Sequence, residues 1–165
     1  GRPLIFKNAA ALPLQTEFLA KNLTNSLYIH IERDLIDVAD SLLKGRKKYL
    51  DDINEWFSIK PKEYIFLKDQ PVKKQIAGQV YYSNIEILKQ IRSIPRQRKH
   101  HLTYDMLCNN TELELYKIKQ FFTANQLKLK ERDIDLPQLT MRKSTGKSSD
   151  NAIKNFLDYL QNNKK

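Results

Sequence analysis

The residues with chemistry to offer are few and thinly spread along this chain. His100 and His101 are adjacent, and Cys108, the single cysteine, follows them. One thiolate and two neighbouring imidazoles lack the paired spacing of a tetrahedral zinc site, so no metal ligands are assigned. Gly146-Lys147-Ser148 has the end of a phosphate-binding loop. It lacks the upstream glycine and the preceding strand that would cradle phosphates, and it reads as a linker. Asp51, Asp52 and Glu55 share a helical segment as solvated charge. His30 falls in the first helical segment as a partly buried structural residue. Tyr81, Tyr82 and Trp56 have faces on which bases can stack, but core packing is their expected role. No nucleophile is matched to a base, so the expectation is a protein that is not an enzyme, with no catalytic residue, cofactor or metal.

The charge balance says more. In 165 residues, Lys and Arg number 29 against 19 Asp and Glu, a net charge of +10. Most of the excess falls in residues 83–165. Such a balance favours polyanionic partners: nucleic acid, an anionic membrane surface or an acidic protein patch. Arg96, Arg98 and Lys99, with His100 and His101, form one basic cluster. Lys128, Lys130 and Arg132 form another, with Arg142, Lys143 and Lys147 beyond it. These are candidate phosphate contacts that would raise affinity without reading bases. A single cysteine allows no disulfide within the chain and fits a reducing compartment. No apolar run is long enough to span a bilayer. The opening Gly1-Arg2-Pro3, without a methionine, is expected to mark a piece of a longer protein.

Those groups must be carried by elements, and the hydrophobic spacing suggests which. Residues 1–13, with Pro3 and Pro13, read as an arm. Leu19, Leu23, Leu27 and Ile31 recur every four positions and predict a helix over Gln15–Ile31. Asp34 offers an N-cap for a helix over Leu35–Leu43 that Gly45 stops. Arg46–Phe57 has Tyr49, Leu50, Ile53 and Trp56 at helical spacing, and Pro61 blocks continuation. Tyr64–Leu67 and Gln79–Tyr82 are aromatic and branched, which predicts a hairpin. Residues 14–82 thus form one expected module. The second, 83–165, begins with a helix over Asn84–Ile94 and a basic loop over Arg96–His101. Thr103 caps a short helix to about Cys108. Thr111 and Glu114, at capping-box spacing, open a longer one to about Ala124. Leu127–Glu131 alternates leucine with charge, and Gln138–Arg142 returns as its partner. Asp150 then caps a last helix with Ile153, Phe156, Leu157 and Leu160 on one face.

Within Tyr104–Phe122, Leu107, Leu113, Ile118 and Phe121 sit at the offsets by which two short helices pack steeply, with Cys108 at the small position. This stretch resembles a helix-turn-helix. Glu112 stands where the tightest version has glycine, and Thr111 starts the second helix early. With the hairpin that follows, both features make the segment similar to the winged-helix superfamily. Ile118 and Phe121 are then core residues. The outward face is Glu112, Tyr116, Lys119, Gln120 and Thr123, a mixture of charges. A major-groove reader carries more Arg, Lys and Asn. Tyr116, Lys119 and Gln120 are the candidate nucleic-acid contacts of that face. In the first half, Asp51, Asp52 and Glu55 would repel phosphates, so a protein partner is expected there, with Tyr49 and Trp56 as anchors.

The expected fold is mostly α with small β-hairpins: tandem winged-helix-like modules plus a C-terminal helix. Its element order resembles the C-terminal portion of the Stn subunit of the telomere-capping CST complex. It also resembles tandem modules of polymerase-associated factors and plasmid replication initiators. The resemblance implies a non-enzymatic docking module in a telomere-capping or replication complex. Such a module would be nuclear, or cytoplasmic in a bacterium. It would bind protein subunits, with accessory nucleic-acid contacts and neither a membrane nor a small-molecule substrate. A sequence-specific DNA-binding regulator or replication initiator is the competing expectation, and a purely structural interaction domain the third.

Overall fold

In the computed structural model, residues 4–7, 12–127 and 150–163 are described. A 3-10 turn, Leu12–Gln15, leads into α1, Thr16–Asn22. Strand β1, Tyr28–Glu32, follows, then α2, Leu35–Tyr49, and the single turn α3, Tyr64–Leu67. Helix α4 is Val72–Arg92, and a second 3-10 turn, Arg96–Arg98, precedes β2, Lys99–Thr103. Then come α5, Tyr104–Asn109; α6, Thr111–Ala124; and α7, Asn151–Asn162. The chain is mostly α with a small β element, as its composition and periodicity predict.

Helix α4 is the axis of the fold. Gln75 through Tyr81 are buried without a break, so the middle of this helix is enclosed on every side. Helices α1, α2, α3 and α7 all pack on it. An enclosed helix shows no single apolar stripe. For that reason Gln79–Tyr82, expected as a strand, lies inside α4, and the helix expected over Asn84–Ile94 is only its second half. Tyr64–Leu67, the other expected strand, is α3. Gly78 lets α3 approach: a Cβ there would sit 2.5 Å from Leu67 Cδ2.

The main core joins Ala39 of α2, Ile76, Ala77, Val80 and Tyr81 of α4, and Ile153, Leu157 and Leu160 of α7. It unites both ends of the sequence, and the expected module boundary at 82/83 falls inside α4. The two halves are therefore not separate packing units. Three caps read from the sequence are present, at Asp34, Thr103 and Asp150. Asp34 accepts from the backbone N–H of Ile36 and Asp37. Asp150 accepts from Ala152 and pairs with Lys73 Nζ at 2.6 Å. The Lys73 hydrogen bond holds the Asp150 carboxyl below the usual carboxylate range.

Other local expectations are corrected. The Gln15–Ile31 helix breaks at Asn22, where Asn22 Nδ2 donates to Phe18 O and Ser26 Oγ donates to Leu23 O. Side chains that bond nearby carbonyls favour a turn over a continued helix. The β-branched run beyond becomes β1. Helix α2 passes through Gly45 to Tyr49, and the missing side chain makes room for the Phe57 ring: a Cβ would be 2.9 Å from Phe57 Cε1. Of the helix expected over Arg46–Phe57, only the first four residues are helical, as the last turn of α2. Arg96–His101 is a 3-10 turn and the start of β2 rather than a loop.

The β element is a parallel pair, not a hairpin. Tyr28 aligns with Lys99, His30 with His101 and Glu32 with Thr103. Parallel neighbours need a long crossover, supplied here by α2, α3 and α4. The second expected hairpin, Leu127–Glu131 with Gln138–Arg142, lies beyond the described residues except for Leu127.

Candidate nucleic-acid interface and its adjoining cleft

The segment expected as a helix-turn-helix, α5 and α6, follows directly on β2. Thr103 Oγ1 accepts from Met106 N, the expected cap of α5. No capping box opens α6. Thr111 Oγ1 instead donates to Leu107 O at 2.7 Å. Glu114 is buried, 2% exposed, and meets Lys117 Nζ at 2.6 Å. The outward face of α6 is the expected one, with Glu112, Tyr116, Lys119, Gln120 and Thr123 all exposed. Leu113, expected inside, is 51% exposed and joins Tyr116, 58% exposed, on the surface. Met106 of α5 is exposed as well. Ile118 and Phe121 are half-buried rather than core residues. Phe121 packs at 5.5 Å from the His100 ring.

The basic cluster before α5 divides in two. Arg98 is a staple of the fold. Its guanidinium donates to Ser26 O, Ala20 O, Leu23 O and Ser26 Oγ, and it lies over the Tyr28 ring. Lys99 Nζ donates to Ile91 O at 2.8 Å and Arg92 O at 3.4 Å, so a cation sits on the negative end of α4. Arg96 is exposed. Lys128, Lys130, Arg142 and Lys143 lie outside the described residues.

The two expected anchors of the first half also differ. Tyr49 is 64% exposed, stacked on Phe57 with Lys48 over its ring. Trp56 is built in: Nε1 donates to Ile59 O, Tyr64 meets it edge-on, and Arg46 lies over its face. Arg46, the first residue of the helix expected over Arg46–Phe57, is fully buried. Its Nη1 donates to Gln75 Oε1 and its Nη2 to Gln79 Oε1.

Sequence spacing gave no sign that His30 and His101 would meet, because the strand pairing is remote. Their ring centroids are 5.3 Å apart, and His101 Nε2 lies 2.9 Å from Glu32 Oε2. Both line a cleft of about 320 Å³ between the strands and the end of α4, with Leu88, Ile91, Arg92 and Arg96 around it. The one available signal was the alternation Tyr28, His30, Glu32 opposite Lys99, His101, Thr103, legible only after pairing is known. A second cleft, of about 370 Å³, is lined by charges of both signs, among them Glu32, Arg33, Asp34 and Asp105. Among the described residues no cluster of His, Cys, Asp and Glu is arranged to hold a metal ion.

Burial holds the His30 imidazole below its usual pKa; His101 adds to this and Glu32 opposes it. The folded state therefore favours neutral His30. As pH falls through the unfolded value of about 6.5, the unfolded chain takes up a proton that the folded chain resists, and stability drops. The melting temperature is expected to fall between about pH 7.5 and about pH 5.5, and to fall less in His30→Phe. Equal acid losses in the two proteins would remove His30 from this role.

Among the described residues no helix is long and apolar enough to cross a membrane. Comparison with protein-family models, with curated proteins and with solved structures gives no match.

Proposed function

We propose that this chain is a non-enzymatic docking module of a DNA-bound assembly, similar to a winged helix, with accessory nucleic-acid contacts. The order α4, β2, α5, α6 supports the likeness: helix, strand, then two helices in direct contact. One observation carries the docking role. The surface that a groove reader would fill with Arg, Lys and Asn instead presents Leu113 and Tyr116 beside Glu112. Exposed aromatic and aliphatic side chains on one helix face suit a protein partner. Arg96 and the basic residues after α6 supply the phosphate contacts of this reading.

Duplex binding by the full chain is expected to be independent of sequence, and to weaken steeply between about 50 and about 200 mM salt. Tyr116→Ala should leave that affinity unchanged within about twofold, because an aromatic ring on this face contributes no counterion release. A selected duplex bound about a thousandfold more tightly than random DNA would replace this reading with that of a sequence-specific regulator.

A further inference from the structure

The cleft between the end of α4 and the parallel strands combines two chemistries. Leu88 and Ile91 give it an aliphatic wall. His30 and His101 add two flat rings, inclined at 39° to each other. The walls are mostly apolar, with Arg92 and Arg96 exposed at the edge, and the nearest carboxylate shown is that of Glu32, 2.9 Å from His101 Nε2. Lys99 also lines it, but its ammonium is engaged by the α4 carbonyls and contributes field rather than contact. His100 lines it too, and His100 Nε2 is buried with no hydrogen-bond partner among the described residues.

A small inorganic anion would use the arginines and leave the aliphatic wall in water. A purely apolar ligand would use the wall and leave the arginines idle. The arrangement suits a ligand that joins a flat ring to an anion. About 320 Å³ is near the lower end of the range for small-molecule sites, enough for one such ring and too little for a duplex. We infer that this cleft binds a nucleoside phosphate, the base against Leu88, Ile91 and the imidazoles, the phosphate on Arg92 and Arg96. Base-on-ring contact tolerates any base, because every base has a π-face. The inference extends the nucleic-acid contacts of the proposed function, since the same chemistry is offered by a free nucleotide and by an unpaired nucleotide of a strand.

The test uses the full chain, with adenosine monophosphate, adenosine and orthophosphate as probes and the histidine imidazole resonances as readout. Adenosine monophosphate is expected to shift His30 and His101 with a Kd of about 0.1–1 mM, and adenosine or orthophosphate to bind at least about tenfold more weakly. Replacing Arg92 and Arg96 together by Gln should weaken the nucleotide about tenfold and leave adenosine unaffected. Leu88→Trp should fill the cleft and abolish both. Should that variant melt early, His30→Ala serves in its place, removing one stacking ring. A labelled single-stranded oligonucleotide that competes with adenosine monophosphate identifies a strand as the source. Nucleotide binding without strand binding identifies the free molecule as the source, and the cleft assignment then stands apart from the proposed function. The inference is overturned if the imidazoles do not respond at about 5 mM nucleotide, or if the arginine and Leu88 variants bind it undiminished. Duplex binding that persists alongside either result leaves the proposed function intact.

Discussion

Gln79→Leu is expected to cost about 4 kcal/mol and to lower the melting temperature by roughly 10 °C. The substitution keeps the volume and removes three hydrogen bonds at once. Gln79 Oε1 accepts from the buried Arg46 guanidinium at 3.1 Å, while Nε2 donates to Phe57 O at 2.8 Å and Ile59 O at 2.6 Å. A hydrogen bond to a charged group is worth about 1.5–3 kcal/mol, and each buried carbonyl left without a donor costs about 1–3. The Arg46 guanidinium is held by two glutamine oxygens and the Trp56 ring, with no ion pair to a carboxylate among the described residues. Burial accordingly lowers its pKa from the usual arginine value. The same physics predicts a rescue. Arg46→Met in the Gln79→Leu background removes the under-solvated charge, so the double variant should be more stable than Gln79→Leu alone. Urea denaturation of the four proteins in the cycle measures this, and additive losses would show that Arg46 and Gln79 act independently.

The second large effect is expected at the far end of the chain. Leu157→Ala should destabilise by about 2–5 kcal/mol, because Leu157 is 2% exposed within the core of α2, α4 and α7. Tyr159→Ala, on the same helix but 58% exposed, should change stability by no more than about 0.5 kcal/mol. Thermal melts of the two variants separate the cases. Comparable losses would mean that α7 does not dock through the face its spacing defines.

Helix α7 was legible because its information is local. An aspartate cap and four apolar residues on one stripe need no knowledge of the rest of the fold. The caps at Asp34 and Thr103 were legible for the same reason. Legibility failed where neighbours decide the outcome. Ile29 and Ile31 fit a helix or a strand equally well until β2 is present to pair with them. Gln79, Val80 and Tyr81 look strand-like only because α4 is covered on all sides around them. Gly45 is an ordinary helix stop unless an aromatic ring needs the space beside it. Burial of Arg46 was not legible because a sequence does not show that two glutamines a turn apart on another helix will enclose it. At the candidate site, the outward face of α6 followed from its period. Burial of Glu114 and exposure of Leu113 did not, since they reverse the preferences of those residue types.

The parallel strand pair also governs how the molecule reaches its native state. Residues 28–32 meet residues 99–103 only after the chain between them has been brought to one side. No turn can nucleate that pairing, and the entropy of closing so long a loop must be met before any strand hydrogen bond forms. The helices between the strands have local contacts and assemble first. The pairing, with the histidine cleft it creates, is expected to form after those local contacts. Two strands alone form that seam among the described residues, so its closure depends on the Arg98 bonds to Ala20, Leu23 and Ser26 that tie one strand's approach to the other's.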